Sequence, residues 1–140
     1  MTEANTRGEV TIELEGVRYV MRPSYEAIEA IEEQTGHGIV ALINLASQGE
    51  MTRRQCAIVV TECIRAWGKQ QRASGGDDPI ANGAAGANTD KIARLIHASE
   101  GGVVGAVQRV AIVLTAAACG GVTETGEMKP ATMKGTLAAG

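Results

Sequence analysis

The chain has 140 residues, enough for one domain, with 13 Lys and Arg against 16 Asp and Glu and a net charge of −3. That balance gives no global electrostatic case for nucleic acid. With no Phe, one Trp and two Tyr, the core must be built from Val, Ile, Leu and Ala.

The charge is unevenly spread. Residues 1–36 hold eight acids and three bases, and residues 51–72 hold five bases and one acid, a polarity that could align copies or partners. The N-terminus has no basic-then-apolar leader, and no run of about 18 apolar residues is free of polar interruption. The expectation is a soluble, intracellular protein with no membrane contact.

The first element is a hairpin. In "EVTIELEGVRYVMR", Glu15-Gly16 takes the centre of a tight turn, so Leu14 faces Val17, Ile12 faces Tyr19 and Val10 faces Met21. On the other face Glu13 meets Arg18 and Glu9 meets Arg22. A slip of one residue would break both sets at once, so one face is buried and the other is wet. Pro23-Ser24 ends the strand, and Ser24 caps a helix over "YEAIEAIEEQ" that closes at "TGHG". Its apolar side, Ala27, Ile28 and Ile31, is the natural cover for the hairpin. Glu26, Glu29 and Glu33 form its solvated side, since no base, nucleophile or second ligand set accompanies them.

"GIVALINLASQG" predicts a short apolar helix over about residues 38–48. Thr52 and Gln55 have the spacing of a capping box, with Met51 and Cys56 placed as a hydrophobic staple. They open a third helix that runs to about Gln71, with an inward stripe of Cys56, Val59, Val60, Cys63, Ile64 and Trp67. "RASGGDDPIANGAAGA", residues 72–87, lacks periodicity and reads as a flexible insert whose shortening should leave stability nearly unchanged. A fourth helix starts at Asn88 or Thr89, with Ile92, Leu95 and Ile96 inward, and breaks at Gly101-Gly102. The fifth buries Val103, Val107, Val110 and Leu114. It is apolar almost all round, which suits a central position or an oligomer contact. Residues 122–140 read as an irregular or mobile tail.

The architecture expected is therefore α+β, mostly α: an N-terminal β-hairpin followed by about five helices in one domain over residues 1–121. Cys56, Cys63 and Cys119 are odd in number and widely spaced, as for small apolar residues in a reducing compartment. His37 and His97 have no partner at metal-ligand spacing. There is no Walker or dinucleotide-binding motif, no Ser/His/Asp or Cys/His set and no basic recognition helix. No enzyme, no cofactor and no metal is expected.

Taken in order, "RGEVTIELEGVRYVMRPSYEAIEAIEEQTG", "GIVALINLASQGEMTRRQCAIVVTECIRAW" and "DKIARLIHASEGGVVGAVQRVAIVLTAAACGG" resemble the small tail protein of gene transfer agents and related siphophages. The resemblance covers roughly residues 7–71 and 88–121. Members are described as tail tube proteins or as tail assembly chaperones. The resemblance implies a non-enzymatic role in a phage-like tail made in the bacterial host cytoplasm, with the tape-measure protein and the major tail protein as partners. A mainly helical module suits a chaperone that binds the tape measure. The alternative is a tube or neck component that stays in the particle.

Two helical positions point to a partner surface. Ile58 falls opposite the Cys56–Trp67 stripe, among Arg54, Thr61, Glu62 and Arg65. Ile112 falls opposite the Val103–Leu114 stripe, beside Gln108, Arg109 and Thr115. Each is either an isolated surface residue, a residue covered within the monomer, or an anchor for another chain. Ile58, Arg54, Arg65, Ile112 and Arg109 are thus the candidate partner-binding residues, for a copy of this protein or a helix of the tape measure.

Overall fold

Glu15 and Gly16 both adopt left-handed backbone angles, φ 51° and 81°, the conformation of a two-residue hairpin turn. A computed structural model describes residues 9–129. In it β1 (Val10–Leu14) and β2 (Val17–Met21) pair antiparallel in the expected register, Leu14 with Val17, Ile12 with Tyr19 and Val10 with Met21. Val10, Ile12, Leu14 and Met21 are buried and Tyr19 is half-buried.

Six helices follow: α1 (Tyr25–Thr35), α2 (Ile39–Ser47), α3 (Arg53–Ala73), α4 (Pro79–Ala85), α5 (Thr89–Ala98) and α6 (Gly102–Ala118). Their ends are set by local chemistry. The Ser24 hydroxyl accepts from the Ala27 N–H at 3.1 Å. The Thr52–Gln55 box closes both ways, at 2.8 and 3.0 Å. α2 has only Gly38 at its start, and the Glu32 carboxylate of α1 reaches over to accept from the Ile39 N–H at 3.0 Å.

The centre of the domain is α3, not α6. It is packed by α1, α4, α5, α6 and β2, and ten of its residues are buried. Such enclosure makes an apolar stripe on one side insufficient, so both sides of α3 lie in the core. The hairpin is covered differently from expectation as well. β1 lies on α6 and α5, and β2 on α3 and α4, while α1 packs on α3 and α2.

The stretch 72–87 is not a structureless insert. Asp78 caps α4 through the Ile80 N–H, Pro79 sits at its first position, and Ala81, Ala84 and Ala85 are buried. The pairing of α4 with α3 is among the most extensive in the molecule. Its packing signal is carried by alanines alone, which hydrophobic periodicity registers weakly over seven residues. The mate of those alanines is Gly68 of α3, where a Cβ would lie 2.5 Å from the Ala85 nitrogen and closer still to the Ala81 oxygen. Removing residues 72–87 would therefore strip one wall from α3.

Residues 122–129 form no helix or strand but are tied to the domain. Val122 bridges to Met128, and the Lys129 N–H donates to the Gly121 carbonyl at 3.0 Å. The Glu124 carbonyl accepts from the Tyr25 N–H at 2.8 Å, satisfying a free donor at the start of α1. Gly126, φ 89°, lies against the backbone of Arg22 to Ser24, with no room for a Cβ. The rest of the expected tail, 130–140, lies outside the described residues.

One side chain joins these parts. Arg22 is buried, and its guanidinium donates to Glu9 at 2.9 Å and to Gln70 of α3 at 2.7 Å, and pairs with Glu127 at 3.5 Å. Its backbone N–H donates to the Cys63 carbonyl of α3 at 3.0 Å.

Gly68 gives a sharp test of this packing. Alanine is the better helix former by about 1 kcal/mol, yet Gly68→Ala can seat its methyl only by parting α3 from α4. We expect a net loss of about 2 kcal/mol, read as a lower urea midpoint. Gly83→Ala, where a Cβ meets nothing within 4 Å, is expected to raise the midpoint instead. Equal shifts for the two would remove the α3–α4 contact.

Candidate interaction surface

The five candidate residues separate into two places. Ile58 is 7% exposed and belongs to the core cluster, because the outer side of α3 is covered as well as the inner. The neighbouring Thr61 is fully buried, and its hydroxyl has no partner. Arg54 is exposed near the start of α3. Arg65 is half-buried, 3.8 Å from the Glu62 carboxylate, which also accepts from Gln34 of α1 at 2.7 Å. Glu62 ties α3 to α1 through Gln34, and this side offers no exposed apolar anchor.

The α6 pair differs. Ile112 is 50% exposed and Arg109 is exposed beside it. Gly105, Gln108, Arg109 and Ile112 follow the three- and four-residue steps of one helical face. This face borders a groove of about 310 Å³ whose opposite wall is β1, with Thr11 and Glu13 on that side and Gly105, Gln108 and Arg109 on the other. The groove is absent from helical-wheel reasoning because it forms between elements nearly 90 residues apart. Its end is fixed by the hairpin tip: the Glu15 N–H donates to Ser99 Oγ at 2.9 Å, and that hydroxyl donates to the Leu95 carbonyl at 2.6 Å. A second hollow, about 280 Å³ and mainly apolar, lies beside the exposed Tyr25, between Ile28, Ile39 and Val122.

Among the described residues no cluster of three or more His, Cys, Asp or Glu gathers to hold a metal ion. Burial pushes the Cys56 thiol up to about 12 and the Cys63 thiol higher still, with Glu62 adding to the second. Both are neutral and unreactive near pH 7, and Cys119 is exposed. No single helix among the described residues is long and apolar enough to cross a membrane. α5 and α6 reach that composition only jointly, across a 120° bend, and their Ile96, Val110, Val113 and Leu114 are buried in the domain.

A family model described as "Phage tail tube protein, GTA-gp10" matches residues 7–102. The chain belongs to this phage tail tube protein family. The match takes in the hairpin and α1–α5 and ends at the first residue of α6, so most of the exposed α6 face lies beyond it. No curated protein and no solved structure matches the chain significantly. The family is a structural phage tail family.

Opposite outcomes are expected at the two isoleucines. Ile58→Ser removes core volume and buries a hydroxyl, and should cost about 3 kcal/mol or more. Ile112→Ser should stay within about 0.5 kcal/mol of the parent. Thermal melts followed by circular dichroism check both, and a costly Ile112→Ser would place that residue in the core.

Proposed function

We propose that this protein is a non-enzymatic component of a phage-like tail, built into the tail tube or its junctions and acting through contacts with other tail proteins. The observation that carries this reading is the family match over residues 7–102, which spans the hairpin and five of the six helices. The fold agrees with it in presenting an exposed face of α6 beside the hairpin. The host cytoplasm is the place of synthesis in this reading, and the finished particle is the destination.

A second reading has one specific observation in its favour. The described residues contain a single two-stranded sheet, too little to close a barrel by itself. A small helical module of this kind also suits an assembly chaperone that holds the tape-measure protein, with the major tail protein as the later partner, and leaves before the particle is complete.

Mass spectrometry of purified particles beside the producing lysate separates the two. A tube or junction component is expected in particles in fixed ratio to the other tail proteins. Abundance in the lysate with absence from washed particles would overturn the structural reading in favour of the chaperone.

A further inference from the structure

The two edges of the hairpin are not equivalent. The β2 edge runs into α3, where the Arg22 N–H donates to the Cys63 carbonyl. In β1 the two-residue turn makes Leu14–Val17 a hydrogen-bonded pair. The alternation then turns the N–H and C=O of Thr11 and Glu13 away from β2. Among the described residues neither group has a backbone partner, and both face the groove beside α6. An unpaired edge is a template for another strand. Here the edge is held firmly, because Ser99 pins the tip.

The groove is open on its α6 side. Its floor is Gly105, where an added Cβ would meet nothing within 4 Å, so side chains of an incoming strand have space below the sheet. Ile112 continues the same face one to two turns further along α6 and is half exposed. Charge does not select against an identical chain, since Glu13 and Glu100 on the lining are matched by Arg18 and Arg109.

The sequence of β1 complements itself. Laid antiparallel on a second β1 about Ile12, it sets Thr11 against Glu13 of the other copy, and these are the residues whose free N–H and C=O point outward on both chains. The same register places Ile12 on Ile12 and Val10 on Leu14, extending the apolar face without a break. Glu9 then faces Glu15 of the second copy, but Glu9 is already neutralised by Arg22 at 2.9 Å. A shift by one residue would put inward-pointing groups at the seam. We infer that this edge is where a second copy of the chain adds its own β1, making a four-stranded antiparallel sheet across a two-fold axis, with the Gly105–Ile112 faces of the two α6 helices meeting beneath it. The inference adds self-pairing to the tail reading on which it rests; a two-fold contact is closed, so it joins copies in pairs and leaves any ring or tube contact to other surfaces.

The test uses the full chain under reducing conditions, so that Cys119 cannot cross-link. Sedimentation velocity over a concentration series is expected to show a monomer–dimer equilibrium. Hydrogen exchange is expected to show the Thr11 and Glu13 amides gaining protection as dimer forms. Glu13→Pro removes one outward donor and leaves the β1–β2 ladder intact. Ile112→Asp places a charge under the seam. Each should weaken dimerisation at least tenfold with the folded signal unchanged. Should Glu13→Pro fail to fold, Ile112→Asp and the amide protection decide. A chain that stays monomeric at every concentration overturns the proposal and leaves the edge to a different tail protein. So does a dimer that neither variant weakens and that leaves the two amides unprotected. A monomer in solution that is nevertheless found in particles would overturn the pairing and spare the tail reading. A dimer absent from particles would spare the pairing and overturn only the structural form of the tail reading.

Discussion

A single guanidinium connects the beginning, middle and end of this chain. Arg22 holds Glu9 before β1, Gln70 on α3 and Glu127 in the closing turn. It sits where β2 meets the central helix, and its own N–H bonds the backbone of that helix. Taking a guanidinium out of water is costly unless it is paired and hydrogen-bonded, so the segments that supply its partners are pinned to one arrangement. The turn at residues 121–129 packs Met128 against the core. It is fixed by Glu127, by the Gln70 amide on the Thr125 carbonyl at 2.6 Å and by Gly126 against the strand exit. Gln70 thus grips the arginine with its oxygen and the turn with its nitrogen.

Around that fastening, the elements with strong period or strong punctuation were legible from sequence. The hairpin has a register enforced by apolar pairing on one face and charge on the other. The start of α3 is written in its capping box. What sequence could not supply is which surfaces meet. Arg54, Glu62 and Arg65 lie opposite the Cys56–Trp67 stripe, so sequence leaves open whether that side of α3 is covered; Ile58 and Thr61 on it are buried. α4 went unseen because alanine packing is a matter of closeness rather than bulk. Three small side chains and one glycine bring two helices together without any residue that a hydrophobic scan would mark. The turn after α6 is held by main-chain bonds from distant residues, which no local pattern encodes.

The interaction surface follows the same division. Its β1 half was readable, since a two-residue turn determines which backbone groups look outward. Its α6 half was readable as an odd Ile112 on a polar face. Their adjacency was not, because it depends on α6 returning to the hairpin after α1–α5 have been laid down. The hairpin lies within the region that defines the family, while α6 past Gly102 lies outside it. One wall of the groove thus lies within the matched region, and the other lies beyond it.

The three cysteines have a consequence for how the molecule's motions can be timed. Cys56 and Cys63 are enclosed on the central helix, their thiols held neutral by burial, while Cys119 lies in the open at the end of α6. An alkylating reagent reacts with thiolate, so it marks Cys119 at once and reaches the other two only when α3 is uncovered. The chain therefore carries its own stopwatch. The lag between first and second labels measures how often the centre breathes, and the exposed thiol calibrates the reagent in the same molecule.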